Sequence, residues 1–296
     1  MPRPIGLLGV PSSAGAKTPG IEKAVPALRA AGLVPRLAAA GLDVVDHGDL
    51  PTERWRPDPA NPRGQNPGRV AAVAAALRER LAPVLAAGHV PLVVGGDCTV
   101  TVGAVAACDP ATTLVYVDGG VDTYTPATND EGNLDSMGVA HLLDVEGATA
   151  LAGIGPRRPL LPPEQVVFFG VDPARTDDVE MDVPRRHAIT LTPADEVHGR
   201  PAAAAADTLA ALAAPHRSFL VHLDVDVIDF LDLPVADVPS VGFGLSAADT
   251  FAALGVFCAD PGFAGLVVTE VNPDHADAAD LDRLLDGLVG ALAGTR

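Results

Sequence analysis

Short apolar runs alternate with helix-forming stretches from one end of the chain to the other, and several of those runs end in acids. Ile5-Gly6-Leu7-Leu8-Gly9-Val10, Leu42-Asp43-Val44-Val45-Asp46, Pro91-Leu92-Val93-Val94 and Leu114-Val115-Tyr116-Val117 each read as a strand, as do residues 165–170, 219–223 and 265–270. Between them, residues 24–31, 34–40, 70–87, 100–107, 202–214, 247–257 and 279–293 read as helices, with Ser246 as a cap. Strands apolar on both faces, separated by helices, build a parallel sheet covered on both sides. The expected fold class is therefore α/β: a three-layer α/β/α sandwich with a central parallel sheet, in a single domain over residues 1–296. Residues 51–67, 123–137 and 230–245 read as loops, the second of them a polar surface loop.

Apolar residues make up 48% of the chain and aromatics only 4%, so the core must be built from Ala, Val and Leu. The formal charge of -18 argues against a nucleic-acid partner and an anionic membrane surface, and suits a small cationic substrate. Cys98, Cys108 and Cys258 are too few and too scattered for a disulfide framework. No apolar run reaches membrane-spanning length, and the N-terminal residues lack the pattern of a secretory signal. The expected location is the cytoplasm.

The acids carry the chemistry. Asp118 and Asp122 follow one strand, Asp224 and Asp226 end another, and a third runs into Gly95-Gly96-Asp97-Cys98. In a parallel sheet the carboxyl ends of the strands share one crevice, so these side chains are expected to converge. Carboxylates ~4 Å apart repel by roughly 4 kcal/mol per pair at an effective dielectric near 20. A divalent ion, a cationic substrate group or protonation of some acids must relieve that repulsion. His222 faces the same side of its strand as Asp224, but lies ~7 Å deeper per two residues, and reads as a histidine bonded inside the sheet. Cys98 reads as a ligand or part of the pocket wall; as a nucleophile it would gain from the following helix N-terminus and lose from the surrounding aspartates. Gly95 and Gly96 read as a tight strand-to-helix turn rather than a phosphate loop, since no lysine follows.

Taken in order, the motifs resemble those of the ureohydrolases, the family of arginases, agmatinases and formiminoglutamases, and the resemblance runs almost end to end. Gly20 to Arg29 followed by Ala31-Gly32-Leu33 is similar to an N-terminal signature, and Asp46-His47-Gly48-Asp49-Leu50 to the second strand. Gly95-Gly96-Asp97-Cys98 stands for Gly-Gly-Asp-His, Asp118-Gly119-Gly120-Val121-Asp122 for Asp-Ala-His-x-Asp, and Asp224 to Asp229 for Asp-Val-Asp-x-x-Asp. Gly244-Leu245-Ser246 and Glu270-Val271-Asn272-Pro273 also match.

The resemblance implies two manganese ions bridged by a hydroxide that attacks a guanidinium carbon. One ion would be held by Cys98, Asp118, Asp122 and Asp224. The other would be held by Asp118, Asp224 and Asp226, with Gly120 where the family has a histidine. Both imidazole ligands are thus replaced, so the expectation is one ion, or none, rather than two, with the sulfur favouring zinc or iron over manganese. The resemblance further implies Asp122, Glu270 and Asp135 as catalytic residues, Asp135 standing where arginases carry a proton-shuttling histidine. Tyr124, Asn129, Glu131 and Glu270 would face the substrate. Read as residues alone, Asp135 and Glu131 are solvated loop acids, and Tyr124 either closes over the pocket or packs locally. The expected activity is hydrolysis of a guanidino or amidine C–N bond through a metal-activated water, in a homo-oligomer (trimer or hexamer), with ordinary arginase activity disfavoured. The alternative is a ureohydrolase-fold protein without that hydrolysis, either a binding or regulatory subunit or a repurposed biosynthetic enzyme.

Overall fold

Parallel pairing buries both faces of a strand, and the apolar runs obey that rule. The computed structural model describes residues 3–148, 150–151, 153–212 and 218–294. Eight strands, β1 (Ile5–Gly9), β2 (Val44–Asp49), β3 (Val90–Val94), β4 (Thr113–Val117), β5 (Val166–Val171), β6 (Thr190–Pro193), β7 (Phe219–Asp224) and β8 (Phe263–Thr269), form one sheet. Their order is β2-β1-β3-β8-β7-β4-β5-β6, and every pairing is parallel. β3, β4, β5 and β7 are buried along their whole length, whereas the edge strands β2 and β6 are half exposed.

Period-two alternation sends the strand residues to two separate cores. Val115, Val117, Val221, Leu223, Leu266 and Val268 pack on one face against α1 (Ala24–Ala30), α2 (Leu33–Ala39), and the helices of the second half of the chain. Leu114, Tyr116, Leu220 and Val267 pack on the other, against α3 (Pro67–Ala86), α4 (Val100–Ala107) and α5 (Gly138–Leu142). The remaining helices are α6 (Asp182–Arg186), α7 (Ala194–Val197), α8 (Pro201–Ala211), α9 (Ala247–Ala259) and α10 (Ala278–Leu292). Ser246 caps α9 through its hydroxyl, as its position suggested, and Asp277 with Asp280 forms a capping box on α10.

Several features depart from the sequence reading; of the helix read over 202–214, residues 213–214 lie outside the described residues. The polar edge strand β6 and the short helices α5 to α7 are additional elements. β2 begins two residues later than expected, at Val44, and runs through Asp49. The 123–137 segment is a surface loop only at its tip, where Ala127, Thr128, Asp130 and Glu131 are exposed; Thr123, Thr125, Asn133, Leu134 and Asp135 are buried, with polar groups bonded within the segment or to Gly15 and Glu180. No helix among the described residues is long and apolar enough to cross a membrane.

Candidate active site

Five neighbouring strands, β3-β8-β7-β4-β5, point their carboxyl ends at one cavity of about 170 Å³. β3 delivers Cys98, β8 Glu270, β7 Asp224 and Asp226, and β4 Asp118 and Asp122. The loop after β5 adds Arg175 and Glu180. β8 lies between β3 and β7, which is why Glu270 stands beside Cys98: its Oε1 accepts from the Cys98 backbone N–H at 3.1 Å.

The turn after β3 needs two glycines. Gly95 and Gly96 both have φ of 91°, and a Cβ on Gly96 would lie 2.4 Å from Val100 Cγ2. Asp97, fully buried, accepts from the backbone of Gly15 and Thr99 and so fixes this turn to the loop after β1. Cys98 is thereby held with its thiol donating to Asp224 Oδ2 at 2.9 Å. Burial, and then the charge of Asp224, pushes the Cys98 thiol well above its ordinary pKa. A metal-free nucleophile needs the opposite shift, so Cys98 rests as a thiol rather than as a free thiolate.

His222 corrects the reading that placed it too deep. Its ring stacks on Tyr116 (centroids 3.9 Å apart, planes at 3°), which directs Nε2 upward to within 3.8 Å of Cys98 Sγ and 4.0 Å of Asp118 Oδ2. Nδ1 lies 2.6 Å from Thr101 Oγ1. With the proton on Nδ1, shared with Thr101, the Nε2 lone pair faces the acids. Burial pushes the imidazole pKa down to about 3, so the ring is neutral and able to ligate.

Cys98, Asp118, His222 and Asp224 thus offer one ligand atom each, all within 4.8 Å of one another and all buried. A tetrahedral ion with bonds of the usual length would set such atoms about 3.3–3.8 Å apart, so small side-chain adjustments suffice. Asp118 Oδ2 is buried and has no hydrogen-bond partner, as a ligand atom facing an ion would be. Burial, reinforced by neighbouring acids, raises the pKa of Asp118, Asp122, Asp224 and Glu270 well above the carboxylate range. Thr101→Val, which strips the outer partner from His222, is expected to weaken divalent-ion binding about 10- to 100-fold in a calorimetric titration.

Asp122 and Asp226, expected as ligands, share the cavity, each with one carboxylate oxygen bonded within the protein, while Asp226 Oδ1 is buried without a partner. Asp122 accepts a short hydrogen bond from the Tyr116 hydroxyl, while its backbone N–H donates to Glu180 Oε1 at 3.0 Å. Asp226 is bound by Arg175, Nη2 to Oδ2 at 2.6 Å. Asp122 and Glu270 have φ of 48° and 63°, left-handed values that cost on the order of 1–3 kcal/mol in a residue with a side chain. Such strain concentrates where side-chain direction matters for function. Gly120 packs closely beside Asp118: a Cβ there would lie 3.3 Å from Glu180 Oε1 and 3.4 Å from Asp118 Oδ1.

Tyr124, Glu131 and Asp135 also line the cavity. Tyr124 bonds to Asp177, and Glu131 pairs at the mouth with Lys17. Asn129 does not line it; its amide donates to Ser136 Oγ at 3.0 Å within its own loop. Asp135 is buried rather than solvated. Burial, and then the charge of Asp97, lifts its pKa to about 7. Between the ordinary value near 4 and about 7, the folded chain keeps a proton that the unfolded chain has released. Stability attributable to Asp135 therefore falls as pH rises through that window. Asp135→Asn is expected to flatten this dependence by about 2–4 kcal/mol, read from melting curves of ion-free protein at about pH 5 and pH 8.

Arg175 and Glu180 were missed in the sequence because residues 172–188 have no hydrophobic period. Their place just after the apolar run that ends at Gly170 was the only signal available locally.

The arginase family model matches residues 3–288. The arginase of Bacillus caldovelox is 28% identical over 301 residues, spanning 99% of each chain. Its solved structure has a TM-score of 0.88 to this one at 29% identity, over 99% of this chain and 98% of that one. Human arginase-1 is 32% identical over 179 residues, 58% of this chain and 56% of its own. A formiminoglutamase of Trypanosoma cruzi, solved with manganese, shares the fold with a TM-score of 0.76 at 19% identity, over 99% of this chain and 93% of that one. With an eight-stranded parallel sheet, acids at its carboxyl edge and a match across nearly the whole sequence, the chain belongs to the arginase family.

Proposed function

We propose that this arginase-family chain is a hydrolase for a guanidino or amidine C–N bond of a small cationic substrate, working at one divalent ion. The observation that carries the reading is the convergence of Cys98, Asp118, His222 and Asp224 within 4.8 Å, with Asp118 Oδ2 lacking any other partner. When bound there, a divalent ion supplies a Lewis acid and lowers the pKa of water enough for attack near neutral pH. A thiolate and an imidazole among the donors favour zinc or ferrous iron over manganese.

The chain's own residues account for the rest. The acid-lined cavity draws in a cation and holds it, since carboxylates outnumber Lys17 and Arg175 along its walls. Glu270, fixed by the Cys98 N–H, keeps its buried Oε2 free of hydrogen-bond partners and directs the substrate's cationic group. Asp122, aligned by the Tyr116 hydroxyl, orients the reacting centre from the β4 side. Asp135, with a pKa of about 7, holds and releases a proton at physiological pH and carries it from the cavity to solvent. Tyr124 and the Lys17–Glu131 pair flank the entrance. Asn129 acts by bracing that loop. The same reading has the protein working in the cytoplasm as a homo-oligomer, apart from membranes and nucleic acid.

The test is turnover of arginine, agmatine and a hydroxyguanidine by protein loaded with zinc, iron, cobalt or manganese. Ion-dependent hydrolysis that ethylenediaminetetraacetate abolishes is the expected result. No turnover with any ion favours a second reading, a family member without hydrolysis that binds a cation. That reading draws on the Arg175–Asp226 and Tyr116–Asp122 bonds, which occupy one carboxylate oxygen of each of two acids in the cage.

A further inference from the structure

We propose that Arg175 is a resident cation that fills the Asp226 side of the cavity and sets the number of divalent ions the site accepts. The inference builds on the one-ion reading above but concerns the opposite wall. Arg175 Nη2 lies 2.6 Å from Asp226 Oδ2, and Nη1 lies 3.1 Å from the Asp226 carbonyl oxygen. The guanidinium thus grips both the side chain and the backbone of one residue, and only 20% of the Arg175 side chain is exposed.

The arginine is mounted rather than loosely placed. Asp172 donates its N–H to the Gly119 carbonyl at 2.9 Å. Its carboxylate accepts from Ala174 N at 2.8 Å and from Gly244 N at 3.1 Å. Arg175 N closes the same turn onto the Asp172 carbonyl at 3.0 Å. The turn is therefore tied to the end of β4 and to the loop before α9. Gly119 gives the guanidinium its space, since a Cβ there would lie 2.1 Å from Nη1.

A second divalent ion at this wall would need Asp226 as a ligand. Asp226 Oδ2 is already bound by a fixed positive charge, which leaves only the buried, unpartnered Oδ1, and Gly120 contributes no donor. A mounted guanidinium neutralises Asp226 and repels another dication, while leaving Cys98, Asp118, His222 and Asp224 for one ion. The residue therefore acts as an ion-counting determinant, not as a ligand.

The experiment is a calorimetric titration with zinc, and separately with manganese, of the unaltered protein, Arg175→Met and Arg175→Lys. The expected result is one more bound ion per chain in Arg175→Met than in the unaltered protein, and no gain in Arg175→Lys. Equal ion counts in Arg175→Met and the unaltered protein overturn the proposal. Arg175→Gln, which keeps a hydrogen bond to Asp226 without the charge, replaces the Met variant if the latter does not fold; the same gain is expected and the same equality overturns it. The count in the unaltered protein judges the one-ion reading separately: no ion there, with one gained on removing Arg175, discards that reading and keeps this one.

Discussion

Asp224→Asn is expected to lower divalent-ion affinity at least about 100-fold, remove any ion-dependent hydrolysis, and raise the melting temperature of the ion-free protein by about 2–4 °C. The opposite signs are the informative part. Asp224 is buried among Cys98, Asp118 and Asp226, and burial with those neighbouring charges raises its pKa. Asparagine keeps an oxygen to accept from the Asp226 N–H, now at 2.7 Å, and presents its amide to the Cys98 sulfur. It therefore relieves crowding of acids, about 1–2 kcal/mol after discounting for partial protonation, while deleting an anionic ligand. Sites built for function are commonly stabilised when their charges are removed. Thermal melts with and without added zinc, beside a binding titration, check both signs. A fall in ion-free stability would mean that Asp224 serves the fold rather than an ion.

The second large effect concerns metal choice. Cys98→His combined with Gly120→His is expected to shift the preference from zinc toward manganese by more than about tenfold, because a soft sulfur is exchanged for nitrogen donors beside carboxylates. The φ of Gly120 is not left-handed, but a Cβ would meet Glu180 Oε1 at 3.3 Å and Asp118 Oδ1 at 3.4 Å, so the change requires those carboxylates to give by a few tenths of an ångström. Manganese-dependent arginine hydrolysis appearing in the double variant, and rising further when Arg175→Met is added, would identify the cavity as an arginase pocket altered at its donors. Competitive titration of the two metals measures the preference, and urea release measures the activity. An unchanged zinc-to-manganese ratio would show that the carboxylates alone set the selectivity.

Both expectations depend on side chains whose legibility in the sequence differed. The acids were readable because the apolar runs of β4 and β7 stop at Asp118 and Asp224, and parallel sheets gather such ends. Helix α4 and the Ser246 cap were readable for the same local reasons. His222 was misjudged by counting backbone rise alone; the stacked ring on Tyr116 carries Nε2 back toward the strand end, and side-chain direction is not written in spacing. Asp135 looked solvated because its segment is polar, yet the Asn133–Asp135 bond lets the inner end of that segment be buried while its tip stays exposed. Arg175 was hidden because its role needs β5 beside β4, a fact of sheet order rather than of local sequence. β6, four residues long with Pro193 at its end, carries the weak signal of an edge strand.

The most direct test of the one-ion site is a cobalt titration of ion-free protein, followed by thiolate-to-cobalt charge-transfer absorption. The account predicts a band that grows to saturation at one equivalent per chain, vanishes in Cys98→Ser, and weakens strongly in His222→Phe, which preserves the stack on Tyr116. Cobalt binding without a thiolate band, or with full strength in His222→Phe, would contradict it.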